Sequence, residues 1–258
     1  MRLLLTNDDS LDCPFLHVLV HALRDAGHEL HIVAPKTEQS WIGAAKSRHR
    51  AVSVEPADRG FNCPTWAING TPGDCVNIAL SHILPALPDA VVSGINVGLN
   101  ASLGFILASG TIGGAWEGAL HGLPAVALSQ DLPFDIFHTI KTPGVPYPGA
   151  VTQTLRHSAA HAAQMIPSLV AATPPRSFIV HNINFPYPCH ANSEIKRTIP
   201  ARVLVPGIFG PAAPDGTHSF AYTLGELVDP PGAPLTDRAA LAAGHISHSI
   251  LDYTKLGQ

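Results

Sequence analysis

The sequence predicts a doubly wound α/β protein with a mostly parallel, Rossmann-like sheet, followed by a smaller β-rich part at the C-terminus. Two observations support this fold class. First, an apolar run at 3–5, an amphipathic helix at 12–26 that Asp12 could cap, and a strand at 28–34 follow one another. They make a βαβ unit, so the first two strands should run parallel. Second, strands and helices continue to alternate further along the chain.

The later elements follow in order. Weak alternation at 49–55 and a second run at 65–68 predict an exposed hairpin. Thr71 is expected to cap the next helix. Further helices are predicted at 74–84, from about Thr111 to 122, and at 149–170. Further strands are predicted at 88–93, 123–129 and 177–184, whereas 131–148, which is rich in proline, is expected to be irregular.

The character of the sequence changes after Pro186. Short runs broken by proline and glycine at 195–235 predict hairpins and loops. Thr236 would cap a short helix that ends at Ala243, and 244–251 would be a final strand. We therefore expect an α/β domain at 1–190, which would carry the catalytic site, and a hairpin and C-terminal segment at 191–258.

Composition limits the classes of function. The chain has 258 residues, of which 46% are hydrophobic and 13% charged, enough to bury a core. A net charge of -4 gives no basic surface for a nucleic acid polymer, although it does not exclude a single nucleotide as ligand. We expect a cytoplasmic protein with no membrane partner, because no signal peptide and no apolar run of ~18 residues is found. The four cysteines form no C-x-x-C pair and are expected to be reduced and mostly buried.

Asp8 and Asp9 follow the first predicted strand directly. In an open parallel sheet, ligands bind at the carboxyl ends of the strands. Adjacent carboxylates repel each other, and a hard divalent cation that prefers oxygen ligands would relieve this repulsion. The alternative is that the two acids only cap the following helix.

Three more polar clusters should reach the same edge of the sheet. They are Ser40 after the second strand, Asn96 with Asn100 after the third core strand, and the helix start at 109–111. Hydroxyl and amide oxygens extend the hard-metal site, and a helix N-terminus can hold a phosphate. A dication beside a phosphate site implies phosphoester hydrolysis. Each cluster also has a plain structural explanation, as helix caps or as a turn.

Several motifs along the whole chain resemble the survival protein SurE family. The most specific are Leu-Leu-Leu-Thr-Asn-Asp-Asp at 3–9 and Ser-Gly-Ile-Asn at 93–96. Others are Asn-Gly-Thr-Pro-Gly-Asp-Cys-Val at 69–76, Ser-Gly-Thr-Ile at 109–112, Asn-Ile-Asn-Phe-Pro at 182–186 and Thr-Asp-Arg at 236–238.

The resemblance implies a metal-dependent phosphatase that hydrolyses nucleoside monophosphates, as a 5′- and/or 3′-nucleotidase, through a metal-activated water. Some family members also act on short polyphosphate. It implies Mg²⁺ or Mn²⁺ as cofactor, with Asp8 and Asp9 catalytic. The metal ligands carried over are Asp8, Asp9, Ser40 and Asn96. The phosphate contacts carried over are Asn100, Ser109, Gly110 and Thr111. A homodimer or homotetramer, formed through the hairpin and the C-terminal segment, is also implied.

The chain departs from the family pattern at three positions beside the site. Ser10 and Trp41 stand where a glycine is usual, and Ala108 replaces a usual tyrosine. Trp41 would narrow the pocket or stack on a base, and loss of the tyrosine would weaken a substrate contact. These changes motivate one alternative, a catalytically impaired relative that still binds metal and nucleotide.

Two other classes of function fit the sequence less well. A receiver of the signalling type needs an aspartate after the third core strand and a lysine after a later one. Ser93-Gly94 and Ser129-Gln130 stand at those positions. An aspartyl-phosphate hydrolase needs its two acids as D-x-D, whereas here they are adjacent.

Overall fold

A nine-stranded sheet forms the centre of the molecule in the computed structural model, which describes residues 1–141 and 147–256. The strand order is β3-β4-β2-β1-β5-β6-β7-β11-β8, and a separate pair joins β9 to β10. The strands in chain order are β1 (Arg2–Thr6), β2 (Glu29–Pro35), β3 (Val54–Pro56), β4 (Thr65–Ile68), β5 (Ala90–Val97), β6 (Ala125–Gln130), β7 (Ile179–Phe185), β8 (Ile195–Thr198), β9 (Val203–Leu204), β10 (Glu226–Leu227) and β11 (Ile246–Asp252).

Helices cover both faces of this sheet. They are α1 (Pro14–Asp25), α2 (Pro72–Ile78) with a π-helical turn at Ala79–Ile83, α3 (Leu103–Ala108), α4 (Gly110–Leu120), α5 (Phe134–Lys141), α6 (Gly149–Ala172) and α7 (Asp237–Ala242). A short 3₁₀ turn at Tyr253–Lys255 follows β11. No helix in the described ranges is both long enough and apolar enough to cross a membrane.

The predicted fold class is confirmed. From β4 to β7 through β2, β1, β5 and β6, neighbouring strands are parallel. Leu3 and Leu5 pack on one face with Phe15 of α1 and Leu155 of α6. Leu4 points to the opposite face and packs with α2. Alternation along one fully buried strand therefore supplies both layers of the core.

Several local predictions are confirmed as well. β1 and β2 are parallel, and the exposed strand β3 pairs antiparallel with β4, which is itself mostly buried. Thr71 caps α2 in a capping box, because its hydroxyl accepts from the Asp74 amide at 3.1 Å and the Asp74 carboxylate accepts from the Thr71 amide at 2.9 Å.

Other predictions were wrong. The N-cap of α1 is Cys13 rather than Asp12, whose carboxylate accepts from the Arg59 guanidinium at 2.5 Å instead. Helices α3 and α5 were not predicted. In α5 the apolar side chains at 136, 137 and 140 pack on the core, in a segment whose prolines suggested irregular structure. Residues 142–146 of that segment lie outside the described residues.

The C-terminal part contributes two strands to the main sheet. β11 pairs antiparallel with β7 and parallel with β8. The predicted final strand is thus present, and Thr236 caps α7 as predicted, with its hydroxyl 3.4 Å from the Ala239 amide. The division of the chain near residue 190 and an oligomeric role for the second part stay predictions.

Two histidines pack against each other between β7 and β11. The His181 Nδ1 and His248 Nε2 atoms are 2.9 Å apart, and the Thr173 hydroxyl lies 2.6 Å from His181 Nε2. Burial is the largest cause, and together with the positive charge of Arg197 it lowers the pKa of both rings to about 4; the neighbouring His181 also lowers the pKa of His248. Both rings are therefore neutral at pH 7.

We expect stability to fall as the pH drops from about 6.5 towards 4. The pKa values of His181 and His248 are depressed from the ordinary 6.5, so below 6.5 the unfolded chain binds protons that the folded chain does not. Urea unfolding across this range should show a shallower decline for His248→Gln than for the original chain. His218→Gln, at an exposed position, is the matched control, and equal slopes for all three proteins would contradict the prediction.

Candidate active site

Asp8 and Asp9 are buried at the carboxyl end of β1, and each is fixed by a different element. The Thr111 hydroxyl of α4 donates to Oδ1 of Asp8 at 2.6 Å. The backbone amide of Val97, at the end of β5, donates to Oδ2 of Asp9 at 2.7 Å. The N-cap residue of α1 is Cys13, four residues after Asp9, so the acidic pair does not occupy the capping position of the following helix.

The loop after β2 is hydrogen-bonded to the backbone of Asp8. The Gln39 amide donates to the backbone carbonyl of Asp8 at 2.7 Å. Gly110 lies between these two segments. A Cβ atom there would come within 2.9 Å of both Oδ2 of Asp8 and the Gln39 carbonyl oxygen. Because real Cβ atoms do not approach so closely, glycine at 110 lets α4 reach the carboxylate pair.

The first turn of α4 faces this pair. Ser109 is the N-cap residue, and its hydroxyl accepts from the Ile112 amide at 3.1 Å. The plain explanation of Ser109 as a helix cap is therefore correct as far as its side chain is concerned. The helix extends over eleven residues, so its N-terminus offers backbone N–H groups and the positive end of the helix dipole.

Asn96 follows an irregularity in β5. The register between β5 and β6 shifts between Ser93 and Asn96. Gly94 makes the shift sterically feasible, because its φ is +129° and a Cβ atom would lie 2.3 Å from the Leu128 carbonyl oxygen. The Asn96 side-chain amide donates to the Gly98 carbonyl at 2.7 Å, which orients its Oδ1.

Asn100 is held by residues that sequence reasoning missed as site residues. The Asn100 amide N–H donates to Asn184 Oδ1 at 2.8 Å, and its side-chain amide donates to the Ser129 hydroxyl at 2.9 Å. The Asn182 side chain donates to the Asn100 carbonyl at 2.8 Å. The sequence signal for Asn182 and Asn184 was the motif Asn-Ile-Asn. Side chains two residues apart in a strand point to the same face, so both amides lie on one face of β7.

Asp237 was also missed. Its carboxylate, at the start of α7, accepts from the Ser102 amide at 2.7 Å and the Ala201 amide at 2.9 Å. Burial raises the pKa of this carboxyl despite the three backbone amides that donate to it. The C-terminal part thus anchors the loop that follows Asn100.

Ser40 is less closely integrated than the other predicted residues. It is exposed, and its hydroxyl donates to the Glu38 carboxylate at 2.6 Å. The structure therefore brings Asp8, Gly110 and Thr111 into direct contact, and fixes Asp9 beside Asn96. The role of each residue as a metal or phosphate ligand stays a prediction.

The residues present fit a hard divalent cation. Carboxylate, amide and hydroxyl oxygens are the donors that Mg²⁺ and Mn²⁺ prefer. Beside the acidic pair, the buried Asn7 Oδ1 has no hydrogen-bond partner within the described residues. The described residues contain no cluster of three or more His, Cys, Asp or Glu side chains that could hold a metal ion. Any ion at this site would therefore depend on mixed oxygen ligands.

Fold and site together define a class: an α/β protein with paired buried carboxylates beside a helix N-terminus at the carboxyl edge of its sheet. Comparison with known families is more specific. The model of the family described as Survival protein SurE matches residues 3–204, and the chain belongs to this family.

Relatives with that family name agree with the predicted nucleotidase class. The chain is 37% identical over 251 residues to the 5'-nucleotidase SurE of Nitratidesulfovibrio vulgaris strain Miyazaki F. This match covers 96% of this chain and 85% of the relative. It is 44% identical over 130 residues to the 5'-nucleotidase SurE of Desulforudis audaxviator, where the match covers 50% of each chain. The crystal structure of the SurE protein from Aquifex aeolicus is similar, with a TM-score of 0.73 and 25% identity over 98% of this chain and 93% of that one.

The structure explains two departures from the family pattern. Ser10 has φ +87° and Trp41 has φ +60°, both in the left-handed region that glycine adopts without strain. Glycine, the usual residue in the family pattern, would adopt this backbone conformation without strain. At both positions this chain has a side chain that the conformation disfavours.

We expect Ser10→Gly to stabilise the protein. Relief of the strained φ should raise the free energy of unfolding by about 1 kcal/mol. The greater conformational entropy of glycine in the unfolded chain offsets part of this gain. Urea unfolding measures this change. Ser53→Gly, at an exposed serine outside the left-handed region, is the matched control and should lose roughly 0.5 kcal/mol. A loss of stability in both variants would contradict the prediction.

Proposed function

We propose that this chain is a metal-dependent phosphomonoesterase that hydrolyses nucleoside monophosphates, as a 5′- and/or 3′-nucleotidase. The observation that carries the proposal is the contact between Asp8 and Thr111 at 2.6 Å. It joins a buried carboxylate pair to the N-terminus of α4. A cation site in contact with an anion site is suited to metal-assisted hydrolysis of a phosphomonoester.

Each residue has a proposed role. Asp8, Asp9, Asn96 and Ser40 would hold Mg²⁺ or Mn²⁺, for which Ser40 would turn its hydroxyl away from Glu38. The ion would supply polarisation of the phosphoryl oxygen and activation of water. The backbone amides of Gly110 and Thr111, with Ser109 and Asn100, would bind the phosphate oxygens. Asn184 and Ser129 would keep Asn100 in position.

We also propose a cytoplasmic homodimer or homotetramer. None of the four cysteines, all of which lie in the described residues, forms a disulfide, as is usual in a reducing compartment. Large apolar side chains around β9 and β10, including Leu204, Phe209 and Leu227, are exposed. Apolar surface of this kind supports an association between copies of the chain.

A substrate panel tests the proposed activity. We expect release of inorganic phosphate from 5′- or 3′-nucleoside monophosphates with Mg²⁺ or Mn²⁺, and loss of release after chelation with EDTA. Short polyphosphate belongs in the same panel. Nucleotide binding without release under any metal would instead indicate a catalytically impaired relative, the alternative suggested by Ser10, Trp41 and Ala108.

Substitution of the acidic pair tests the site. Asp8→Asn and Asp9→Asn should abolish measurable phosphate release, a loss of roughly a thousandfold or more, while circular dichroism stays unchanged. Asp12→Asn is the matched control, since Asp12 only forms a surface ion pair with Arg59, and its rate should stay within about twofold. Near-normal rates in both variants of the pair would show that the metal site lies elsewhere.

A further inference from the structure

Four aromatic side chains gather beside the proposed site, and we call them the aromatic cluster. Trp41 makes edge-on contacts with Phe105 at 5.6 Å, Phe220 at 5.0 Å and Tyr222 at 6.2 Å between ring centroids. Phe105 and Tyr222 are 6.0 Å apart. The rings come from three separate segments: the loop after β2, α3, and the chain between β9 and β10.

The aromatic cluster is adjacent to both parts of the proposed site. Trp41 directly follows Ser40, a proposed metal ligand, and consecutive Cα atoms are only about 3.8 Å apart. The Gly43 amide donates to the Ala108 carbonyl at 2.8 Å, so the same loop is attached to the residue before Ser109. In a nucleotide, one ribose separates the phosphate from the base, so a base-binding surface belongs beside the phosphate site. Phe105 lies on α3, which ends at Ala108, directly before Ser109.

The rings are arranged so that a further flat group can join them. Phe105 is buried, whereas Trp41, Phe220 and Tyr222 are all exposed. An edge-on contact sets the edge of one ring against the face of the other, and the exposed sides of these three rings stay open to a further flat group. A cluster that only buried apolar surface would not keep three of its four rings exposed.

The backbone at Trp41 adds an independent observation. Its φ of +60° is unfavourable for any residue with a Cβ atom, and glycine is usual at this position. A large aromatic residue stands here on a strained backbone, one residue from a proposed metal ligand. Strain of this kind concentrates at binding sites, where contacts made by the side chain offset it.

We propose that Trp41, Phe220 and Tyr222 form a subsite that binds the nucleobase of the substrate by stacking, with a preference for purines. This inference rests on the proposed nucleotidase function and specifies its substrate. Purines present a larger π surface than pyrimidines, and stacking on aromatic side chains tolerates differences in base edges. The segment between β9 and β10 would thereby take part in substrate choice.

The test compares a substrate with a base to one without. We would measure kcat/KM and Kd for AMP and for ribose 5-phosphate, with Mg²⁺ or Mn²⁺, in the original chain and in Trp41→Gly. The ratio of kcat/KM for AMP to kcat/KM for ribose 5-phosphate should fall about tenfold in Trp41→Gly. The change should come mainly from higher KM and Kd values for AMP. Trp41→Gly also removes the backbone strain, so a folding defect is not expected.

Two more variants separate the subsite from a general effect on folding. Phe220→Leu removes a ring contributed by a different segment, and the ratio should fall in the same direction. Phe134→Leu is the matched control, because this aromatic residue is exposed on α5 and contacts His138 rather than the cluster. Its ratio should equal that of the original chain.

The outcomes distinguish the subsite from the activity. If the original chain releases phosphate from both compounds but the ratio is unchanged in Trp41→Gly and Phe220→Leu, the subsite is overturned and the nucleotidase stands. If no phosphate is released, the proposed activity fails, and the Kd values decide about the subsite. AMP binding weakened by both substitutions would support it, and AMP binding unaffected by either would overturn it.

Discussion

The contact between the Asp8 carboxylate and the Thr111 hydroxyl is the constraint on which the rest of the site depends. It requires the end of β1 and the start of α4 to meet, and their separation leaves no space for a side chain at position 110. The loop after β2 must then fit against the same point, because the Gln39 amide is bonded to the Asp8 carbonyl. Two hydrogen bonds to Asp8 therefore relate three segments that are distant in sequence.

The buried sheet makes this arrangement rigid. Leu3 and Leu5 are packed on one face and Leu4 on the other, so the strand that carries the acidic pair is confined on both sides. Polar side chains form their hydrogen bonds near the ends of the strands, where Asn182 and Asn184 of β7 are bonded to Asn100. The bulge at Gly94 then turns the end of β5, so that the Val97 amide can meet Asp9.

The sequence predicted those features that depend on local pattern. Buried strands, the order of the central elements and the position of Asp8 at a strand end all follow from apolar runs and turn residues. Tertiary contacts decided the rest. α3 begins where Asp237, far along the chain, accepts from the Ser102 amide, and α5 is stabilised by packing that the prolines on either side of it obscure. The supporting role of Asn184 was hidden for the same reason, since its partner lies 84 residues away.

Ser10 and Trp41 show that one backbone requirement can have two different consequences. Both residues adopt a left-handed φ. At Ser10 the backbone carbonyl accepts from the Asn7 side-chain amide at 2.7 Å, an interaction that glycine would make equally well. At Trp41 the indole contacts Phe105, Phe220 and Tyr222, which glycine could not do. The strain is thus compensated by side-chain contacts only at Trp41. This difference points to Trp41, rather than Ser10, as the departure that alters how the site meets its substrate.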